Sequence, residues 1–316
     1  NGNIAVGETN AARNITAGTT ATIETTTEGN INVTGQISTG GVAGVTAGDV
    51  TVSTATGNIN LNSNNATAPV INSGAAANVK STTEGDITVS DDISATTAAL
   101  LETKKGDVKI GTDASTTNTV SAGTTATVQS HEGDITVFGT VTSATGTTVQ
   151  TLVNGGDVAV TGLVATTGTG TSAGDVTVKA TEGHVTLTKA SDDQKDVITS
   201  TRAASVTATD TKEEAGDTDG NITVDGNITA ATAATLDSTN GNVALTGQMD
   251  AQNGQAKIKA SDNSGETAGN VGNITVKGSV LSDKADVLIT TDNGNITAGT
   301  ASTEGNTATI KAATTA

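Results

Sequence analysis

The sequence has 316 residues and a formal net charge of −18, with 38 Gly, one Phe, one Pro and no Cys, Trp or Tyr. Large aromatic side chains usually anchor a globular core, so this composition favours a thin core of small apolar residues that extends in one dimension. The acidic balance disfavours nucleic acid and anionic membrane as partners, and no run of 18 apolar residues predicts a membrane-spanning helix.

A short pattern recurs along the whole chain and sets the order of its predicted elements. It consists of Gly, then Asn or Asp, then Ile or Val, then any residue, then Val, Ile or Leu. Repetition of this kind is typical of solenoid proteins. The pattern begins at Gly2, Gly29, Gly48, Gly57, Gly85, Gly106, Gly133, Gly156, Gly174, Gly220, Gly241 and Gly272, with near-matches at Gly183 and Gly294.

Apolar residues recur at fixed distances after these glycines. From Gly85 and from Gly220 the next repeat begins after 21 residues, and apolar residues stand at offsets of two, four, eight and sixteen. We expect these positions to form the core. The set comprises Ile31, Val33, Ile37, Val45, Ile87, Val89, Ile93, Leu101, Ile135, Val137, Val141, Val149, Ile222, Val224, Ile228, Leu236, Ile274, Val276, Val280 and Leu288.

A second glycine often follows six residues after the first and marks another corner, because a residue without Cβ bends the chain at low cost. These glycines are Gly35, Gly139, Gly162, Gly226, Gly247 and Gly278. Each repeat then predicts three very short strands whose side chains alternate between inside and outside. Such a unit buries its apolar side only when it is stacked on its neighbours. The sequence therefore predicts an all-β fold, a parallel β-helix or β-solenoid with coils of about 20 residues.

Departures from the repeat predict insertions within a single β-solenoid domain that covers residues 1–316. Three intervals between successive glycines are unusually long. We expect loops near 62–80, 111–125 and 190–219, and the last of these includes the charged stretch DTKEEAGDTD.

Catalytic chemistry finds little support in the sequence. Carboxylate pairs could be assembled from Asp91 and Asp92 or from Asp192 and Asp193, as some polysaccharide-cleaving sites require. However, the chain has no Tyr or Trp to stack on sugars, and solvated turn residues are the preferred interpretation of these acids. His131 and His184 are too isolated to predict a zinc site or a catalytic triad. We therefore predict no catalytic, cofactor-binding or metal-binding residues, and no cofactor.

The sequence contains two kinds of repeated side chain that could form arrays on the surface of the stack. Thr-x-Thr stretches at 20–22, 186–188, 207–209 and 307–309 do not share a repeat offset, so they do not predict a single ice-binding face. Five aspartates follow a repeat glycine and should stack along one edge, where like charges about 5 Å apart repel by roughly 0.8 kcal/mol in water. Solvation with salt screening is preferred over a bridging divalent cation. The five are Asp86, Asp107, Asp134, Asp157 and Asp175.

The segments GNITVDGNITAATAATLDSTNGNVAL (220–245) and NGNITAG (293–299) resemble the repeats of filamentous-haemagglutinin-type bacterial exoproteins, which are large secreted and surface adhesins. The resemblance extends over nearly the whole chain. It implies a right-handed parallel β-helix outside the cell that acts as a shaft or an adhesive fibre.

These observations predict a non-enzymatic extracellular structural protein, a β-solenoid building block of a surface or matrix fibre. Its expected partners are copies of itself through end-to-end stacking, because TATIKAATTA placed before NGNIAV is similar to the internal segment TATIETTTEGNINV. A cell-surface or matrix polysaccharide is a second candidate partner. The alternative is a shaft segment of a larger secreted adhesin that binds host or matrix ligands. A polysaccharide-acting or ice-binding β-helix ranks below both.

Overall fold

Short parallel strands in three rows build the described part of the chain. The computed structural model describes residues 2–8, 11–41, 44–64, 68–114, 117–154, 156–211, 220–262, 272–299 and 309–312. Each coil contributes to all three rows, except the last described coil, which has no strand in the third row, and neighbouring coils pair in parallel. We call the rows the first, second and third face, and the corner that precedes each face takes the same number. The predicted parallel β-helix is confirmed.

The first face consists of strands that begin at the Ile or Val of the glycine pattern. Strands are numbered in chain order. This face contains β1 (Ile4–Val6), β4 (Ile31–Thr34), β7 (Ile59–Asn62), β10 (Ile87–Val89), β13 (Val108–Ile110), β16 (Ile135–Ser143), β18 (Val158–Thr166), β20 (Val185–Thr188), β23 (Ile222–Asp225), β26 (Val243–Leu245), β29 (Ile274–Val276) and β32 (Ile296–Ala298).

The second face is joined to the first, because β16 and β18 run through the second corner without a break. Together the two faces form one sheet of 22 strands. The other strands of the second face are β2 (Ile15–Ala17), β5 (Ile37–Thr39), β8 (Ile71–Ser73), β11 (Ile93–Ala95), β14 (Asn118–Ala122), β21 (Asp196–Ser200), β24 (Asn227–Ala230), β27 (Met249–Ala251), β30 (Val280–Ser282) and β33 (Ile310–Lys311).

The third face is a separate sheet of 11 strands. A 3-10 turn at Gly170–Ser172 precedes one of them. The strands are β3 (Ala21–Glu28), β6 (Val50–Thr56), β9 (Ala77–Glu84), β12 (Ala99–Thr103), β15 (Thr125–Ser130), β17 (Gly146–Thr151), β19 (Asp175–Thr181), β22 (Ala204–Thr209), β25 (Ala234–Thr239), β28 (Ala256–Ser261) and β31 (Val287–Thr291).

The pairing register on the first face measures the length of each coil. Ile222 pairs with Val243, which stands 21 positions later, in agreement with the predicted coil length of about 20 residues. Most coils are longer, and the longest takes 37 residues from Val185 to Ile222. The extra residues lie between strands, so the core register is kept while the coil length varies.

Alternation along the strands places the core between the three faces. In β16, five residues of nine are buried and the other four are half-buried, in strict alternation. The predicted core is confirmed at every position but two, with exposure of at most 2% at the others. Stacked Ile, Val, Leu and Ala thus fill the interior, and no large aromatic side chain is needed.

Val45 and Leu288 are the two wrong core predictions, with exposures of 42% and 39%. Extra residues after β5 delay the third-face strand, so that the buried residues are Val50 and Val52. Before β31, one extra residue shifts the alternation. Val287 and its second neighbour Ile289 pack against the core there, and Leu288 between them points outward.

Two matches to the glycine pattern begin strands of a different face from the others. The matches at Gly48 and Gly174 lead into β6 and β19, which pair within the third face. A glycine followed by an acidic residue therefore begins third-face strands as well as first-face strands. The short pattern alone does not distinguish the two corners.

The predicted insertions contain more regular structure than expected. β8, β14, β21 and β22 lie inside the predicted loop regions 62–80, 111–125 and 190–219. The connecting segments there are 63–70, 111–117, 189–195 and 210–221, of which 65–67, 115–116 and 212–219 lie outside the described residues. Insertions at 40–49 and 167–174 were also not predicted, and residues 42–43 of the first lie outside the described residues. The extra residues of a long coil are divided among its corners. The spacing between repeat glycines gives only the total number of extra residues and not the corner at which they lie.

Candidate functional site

A row of side chains at the first corner holds successive coils together. At each level the Oδ1 atom accepts a hydrogen bond from the backbone N–H of the equivalent residue in the next coil. Ten of the eleven bonds are 2.7–2.9 Å long, and His184 Nδ1 accepts the remaining one at 3.3 Å. The members of this first-corner ladder are Asn3, Asn30, Asn58, Asp86, Asp107, Asp134, Asp157, His184, Asn221, Asn242, Asn273 and Asn295.

Four of the five predicted aspartates are in this ladder, as expected. The exception is Asp175, which lies at the third corner and accepts the backbone N–H of Ala203 at 3.0 Å. Its glycine begins a third-face strand, which explains the error. The stacked aspartates have a structural role that the sequence analysis missed, since each carboxylate accepts a hydrogen bond from a backbone N–H of the neighbouring coil.

Of the aspartates considered as catalytic pairs in the sequence analysis, three each bind a different partner. Asp91 Oδ2 accepts the N–H of Ser63 at 2.7 Å, in the preceding coil. Asp92 Oδ1 accepts the N–H of Thr119 at 2.7 Å, in the following coil. Asp192 is exposed and pairs with Lys189 at 3.1 Å, and Asp193 is exposed beside it.

Among the described residues, Glu102 on the third face has the most charged partners. One carboxylate oxygen lies 3.0 Å from His131 Nε2 and 3.2 Å from Lys104 Nζ, and the other lies 3.4 Å from Lys80 Nζ. The three partners come from three successive coils. Glu102 itself is only 16% exposed, whereas Lys80 is 36% exposed and Lys104 44%. We call this group the Glu102 cluster.

The pKa of Glu102 indicates a structural role for the cluster. Burial raises the pKa, but hydrogen bonds from His131 and Lys104, together with the charges of Lys104 and Lys80, outweigh it and lower the pKa to about 2. A general acid or base works best with a pKa near the ambient pH. Glu102 stays ionised at neutral pH and joins three coils electrostatically.

His131 was singled out in the sequence, but its partner Glu102 was not. Lys80 and Glu102 pair in register between β9 and β12. Each directly follows an inward apolar residue, Val79 or Leu101. Alignment of those two core positions would have revealed the ion pair. His184 belongs to the first-corner ladder, so the two histidines have separate roles.

The Glu102 cluster should make stability depend on acid pH. Because the folded-state pKa of about 2 lies below the ordinary 4.5, the ionised carboxylate stabilises the fold above pH 4.5, and this contribution disappears as the pH falls towards 2. Solvent screens the exposed lysines, so we expect Glu102→Gln to cost only about 1 kcal/mol at neutral pH. Urea unfolding monitored by circular dichroism at several pH values measures this cost.

Glu132 provides the control for this experiment. It pairs with Lys105 at 3.6 Å, and both side chains are more than a third exposed. We expect Glu132→Gln to change stability by no more than a few tenths of a kcal/mol. Equal effects of the two substitutions at neutral pH, or a Glu102→Gln effect that persists at pH 2, would contradict a cluster with a depressed pKa.

Threonine stretches do not form a single two-dimensional array. Thr22 and Thr207 point outward on the third face, whereas Thr186 lies on the first. Of 307–309, only Thr309 is described. A single outward column does align on the third face, but the adjacent column contains Gln, Lys and Asp. The aligned column contains Thr127, Thr148, Thr177, Ser205 and Thr235.

The described residues contain neither a candidate metal-binding cluster nor a candidate membrane-spanning helix. No group of three or more His, Asp or Glu side chains there is arranged to hold a metal ion. No helix among these residues is long and apolar enough to cross a membrane.

The chain was also compared with known proteins. It matches no protein-family model, no curated protein and no solved structure.

Proposed function

We propose that this chain is a non-enzymatic structural protein, a β-solenoid building block of an extracellular surface or matrix fibre that stacks end to end. The first-corner ladder is the observation that carries the proposal. It repeats one hydrogen bond from Asn3 to Asn295 and gives every coil the same two complementary surfaces. Because each coil pairs with the next in the same way, the stack can be extended along one axis, as a fibre requires.

The ladder has a direction that suits assembly between copies. Each coil presents a backbone N–H towards the preceding coil and a side-chain oxygen towards the following coil, as in the bonds from Asp107 to Asp86 and from Asp134 to Asp107. Two copies that meet coil to coil can therefore form the bonds that already join coils within one copy. Contact of this head-to-tail kind is open and produces filaments.

A non-enzymatic role is supported by how the reactive side chains are used. Asp91 and Asp92 bind backbone amides of two different coils, and His184 accepts a bond within the ladder. Glu102 is held ionised by its basic neighbours. These groups maintain the stack, so we assign no catalytic, cofactor-binding or metal-binding residue.

The proposed location and partners of the protein are based on its net charge and on the family resemblance of its repeats. A net charge of −18 disfavours nucleic acid and anionic membrane surfaces. The resemblance to filamentous-haemagglutinin-type exoproteins favours a position outside the cell or on its surface. Copies of the same chain are the first proposed partner, and a surface or matrix polysaccharide is the second.

The alternative is a shaft segment of a larger secreted adhesin that binds host or matrix ligands. The polarity of the ladder favours this role equally, because coils of a longer polypeptide would join through the same bonds. The two proposals differ in whether separate copies assemble.

Electron microscopy of the purified 316-residue chain distinguishes the two. Eleven steps of about 4.8 Å make the twelve described first-face levels about 50 Å high. We expect filaments many times longer than this. Dispersed single rods at high protein concentration would contradict end-to-end stacking and favour the shaft.

A variant of the last first-face strand sharpens this test. Ile274 N–H bonds to Asn295 O, and Gly299 N–H bonds to Val276 O, so the N–H of Ala298 faces away from β29. Ala298→Pro removes that donor at an edge position, where proline is tolerated. We expect Ala298→Pro to shorten or abolish filaments while leaving the circular dichroism spectrum of a β-helix, and Ala298→Ser to assemble normally. Filaments of undiminished length in the proline variant would contradict the proposed junction.

A further inference from the structure

An uncharged groove lies on the second face, beside the unpredicted insertion 167–174. Its volume is about 380 Å³, within the range of ordinary small-ligand sites. Residues of the insertion form one wall of the groove. Residues of the second face and of the third corner, which follows it, form the remainder of the lining. No residue that lines the groove is charged, although the chain has 33 acidic and 15 basic residues.

The insertion that forms the wall is held at both ends. At its start, the N–H groups of Thr167 and Gly168 bond to carbonyl oxygens of the preceding coil at 2.8 and 3.0 Å. At its end, the N–H of Gly174 bonds to Thr201 Oγ1 at 2.9 Å. The carbonyl of Gly174 also accepts the hydroxyl of Thr166 at 2.9 Å. This wall of the groove is therefore fixed by hydrogen bonds within the fold.

Burial of Ala165 shows how closely the insertion lies over this face. Ala165 pairs with Thr199, and both occupy the outward position of a second-face strand. Ala165 is nevertheless only 5% exposed, and it does not belong to the hydrophobic core cluster. We attribute its burial to the segment that follows it, which leaves Thr199 at the border of the groove.

Polar groups suited to a ligand face the groove from three coils. Thr199 and Thr229 are outward neighbours in register, and Gln252 follows β27 in the next coil. Within the described residues, these three side chains form no hydrogen bond with the protein. Ala173 and Ala231 add methyl groups to the lining. Hydroxyl and amide groups among methyl groups match a molecule that carries both hydroxyl groups and C–H surfaces.

We infer that this groove binds a neutral saccharide. This inference deepens the proposed function and rests on it, because it names the class of polysaccharide that the fibre would hold. An anionic sugar would meet the field of an acidic protein without a basic residue in the lining, and a cationic ligand would find no carboxylate there. A neutral sugar avoids both costs and forms hydrogen bonds to Thr199, Thr229 and Gln252. Affinity should be weak, in the millimolar range, since no aromatic residue stacks on the ring.

Titration of the full chain with cellotetraose, followed by amide chemical shifts in NMR, tests the inference. We expect saturable shifts at amides of the insertion and of β21, β24 and the residues after β27. Tetragalacturonate, which has similar rings but carries carboxylates, should produce none. Absence of saturable shifts with cellotetraose, or shifts confined to other parts of the chain, would overturn the inference.

Two threonines of one coil provide a matched pair of variants. Thr229 faces the groove, whereas Thr223 points outward on the first face of the same coil. We expect Thr229→Val to weaken cellotetraose binding roughly three- to tenfold, the effect of one lost neutral hydrogen bond. Thr223→Val should leave binding unchanged. Equal affinity of the two variants would place the sugar elsewhere and overturn the inference.

The experiments distinguish an error in the saccharide-binding inference from an error in the proposed fibre function. Loss of sugar binding in Thr229→Val should leave the filaments seen by electron microscopy intact. Single rods that still bind cellotetraose at the groove would contradict end-to-end stacking alone. Release of shorter sugars from cellotetraose, measured by mass spectrometry, would contradict the non-enzymatic role while supporting the site.

Discussion

Replacement of Val89 by Asp is expected to unfold several coils at once. Val89 has no exposed surface and lies between Leu61 and Ile110 in the stacked core. A buried carboxylate without a partner costs several kcal/mol. Because each coil is stabilised mainly by its neighbours, the damage spreads along the stack. Circular dichroism should show a loss of β signal or a fall of more than about 10 °C in Tm.

Thr88 provides the control for this substitution. It is the preceding residue of the same strand, half-buried on the outer side, and pairs with Asn60 and Lys109. Thr88→Asp places the same charge in the same strand but leaves it in contact with water. We expect its Tm to stay within a few degrees of the unmodified protein. If both variants melted alike, or if Val89→Asp melted normally, the assignment of inside and outside in β10 would be wrong.

Ile228→Asp extends the test to another coil. Ile228 is 1% exposed and stacks between Ile198 and Met249. We expect an effect as large as that of Val89→Asp, because Ile228 belongs to the core column of the second face, which is buried to the same degree and also continues through the stack. A much smaller effect would mean that this column is less tightly packed near the irregularity in β21.

The fold could be predicted because its rules are local. Inside and outside alternate with a period of two, so that Ile135, Val137 and Val141 identify the core face without knowledge of distant residues. A glycine followed by Asn or Asp marks where a strand begins. Both signals lie within a few neighbouring residues, and both are repeated in coil after coil.

Features that depend on coil length could not be predicted. The offset of sixteen residues failed at Val45 and Leu288, since the corners between faces differ in length from coil to coil. The same variation concealed the ion pair between Lys80 and Glu102, which meet only once the register is known. For this reason the core was predicted more accurately than the surface.

The candidate sites were harder still to predict. Asn and Asp after glycine were interpreted as turn residues, whereas the direction of their bonds, for example from Asp157 N–H to Asp134 Oδ1, depends on the stacking of whole coils. The groove beside Gly168 depends on a segment of irregular backbone. Its lining combines the insertion with residues as distant in sequence as Gln252, and no local motif connects them.

Gly162→Ala should be among the most destabilising small substitutions in the chain. Gly162 and Gly139 are paired at the second corner, where β18 and β16 turn from the first face to the second. Their φ values are 143° and 133°, a region that residues with a Cβ rarely adopt. A Cβ at Gly162 would also collide with the carbonyl oxygen of Gly139.

Neither the strained φ nor the clash in Gly162→Ala can be relieved by a local movement. The colliding atom belongs to the backbone of the neighbouring coil, and that coil is fixed by pairing along all nine residues of both strands. Relief would require separating the coils, which breaks hydrogen bonds and opens the core. We expect a loss of at least about 3 kcal/mol, which combines backbone strain with the clash. The shift of the urea unfolding midpoint, at an unchanged slope, measures it.

Gly146→Ala is the matched control in the neighbouring coil, the one that contains Gly139. Gly146 begins β17 on the third face, its φ lies outside the strained region, and the nearest atoms to an added Cβ are 4.0 Å away. Alanine there restricts the unfolded chain without straining the folded one, so we expect unchanged or slightly increased stability, by up to about 1 kcal/mol. A Gly162→Ala protein as stable as the Gly146→Ala protein would show that the second corner has room for a side chain, which would contradict close stacking of the two glycines.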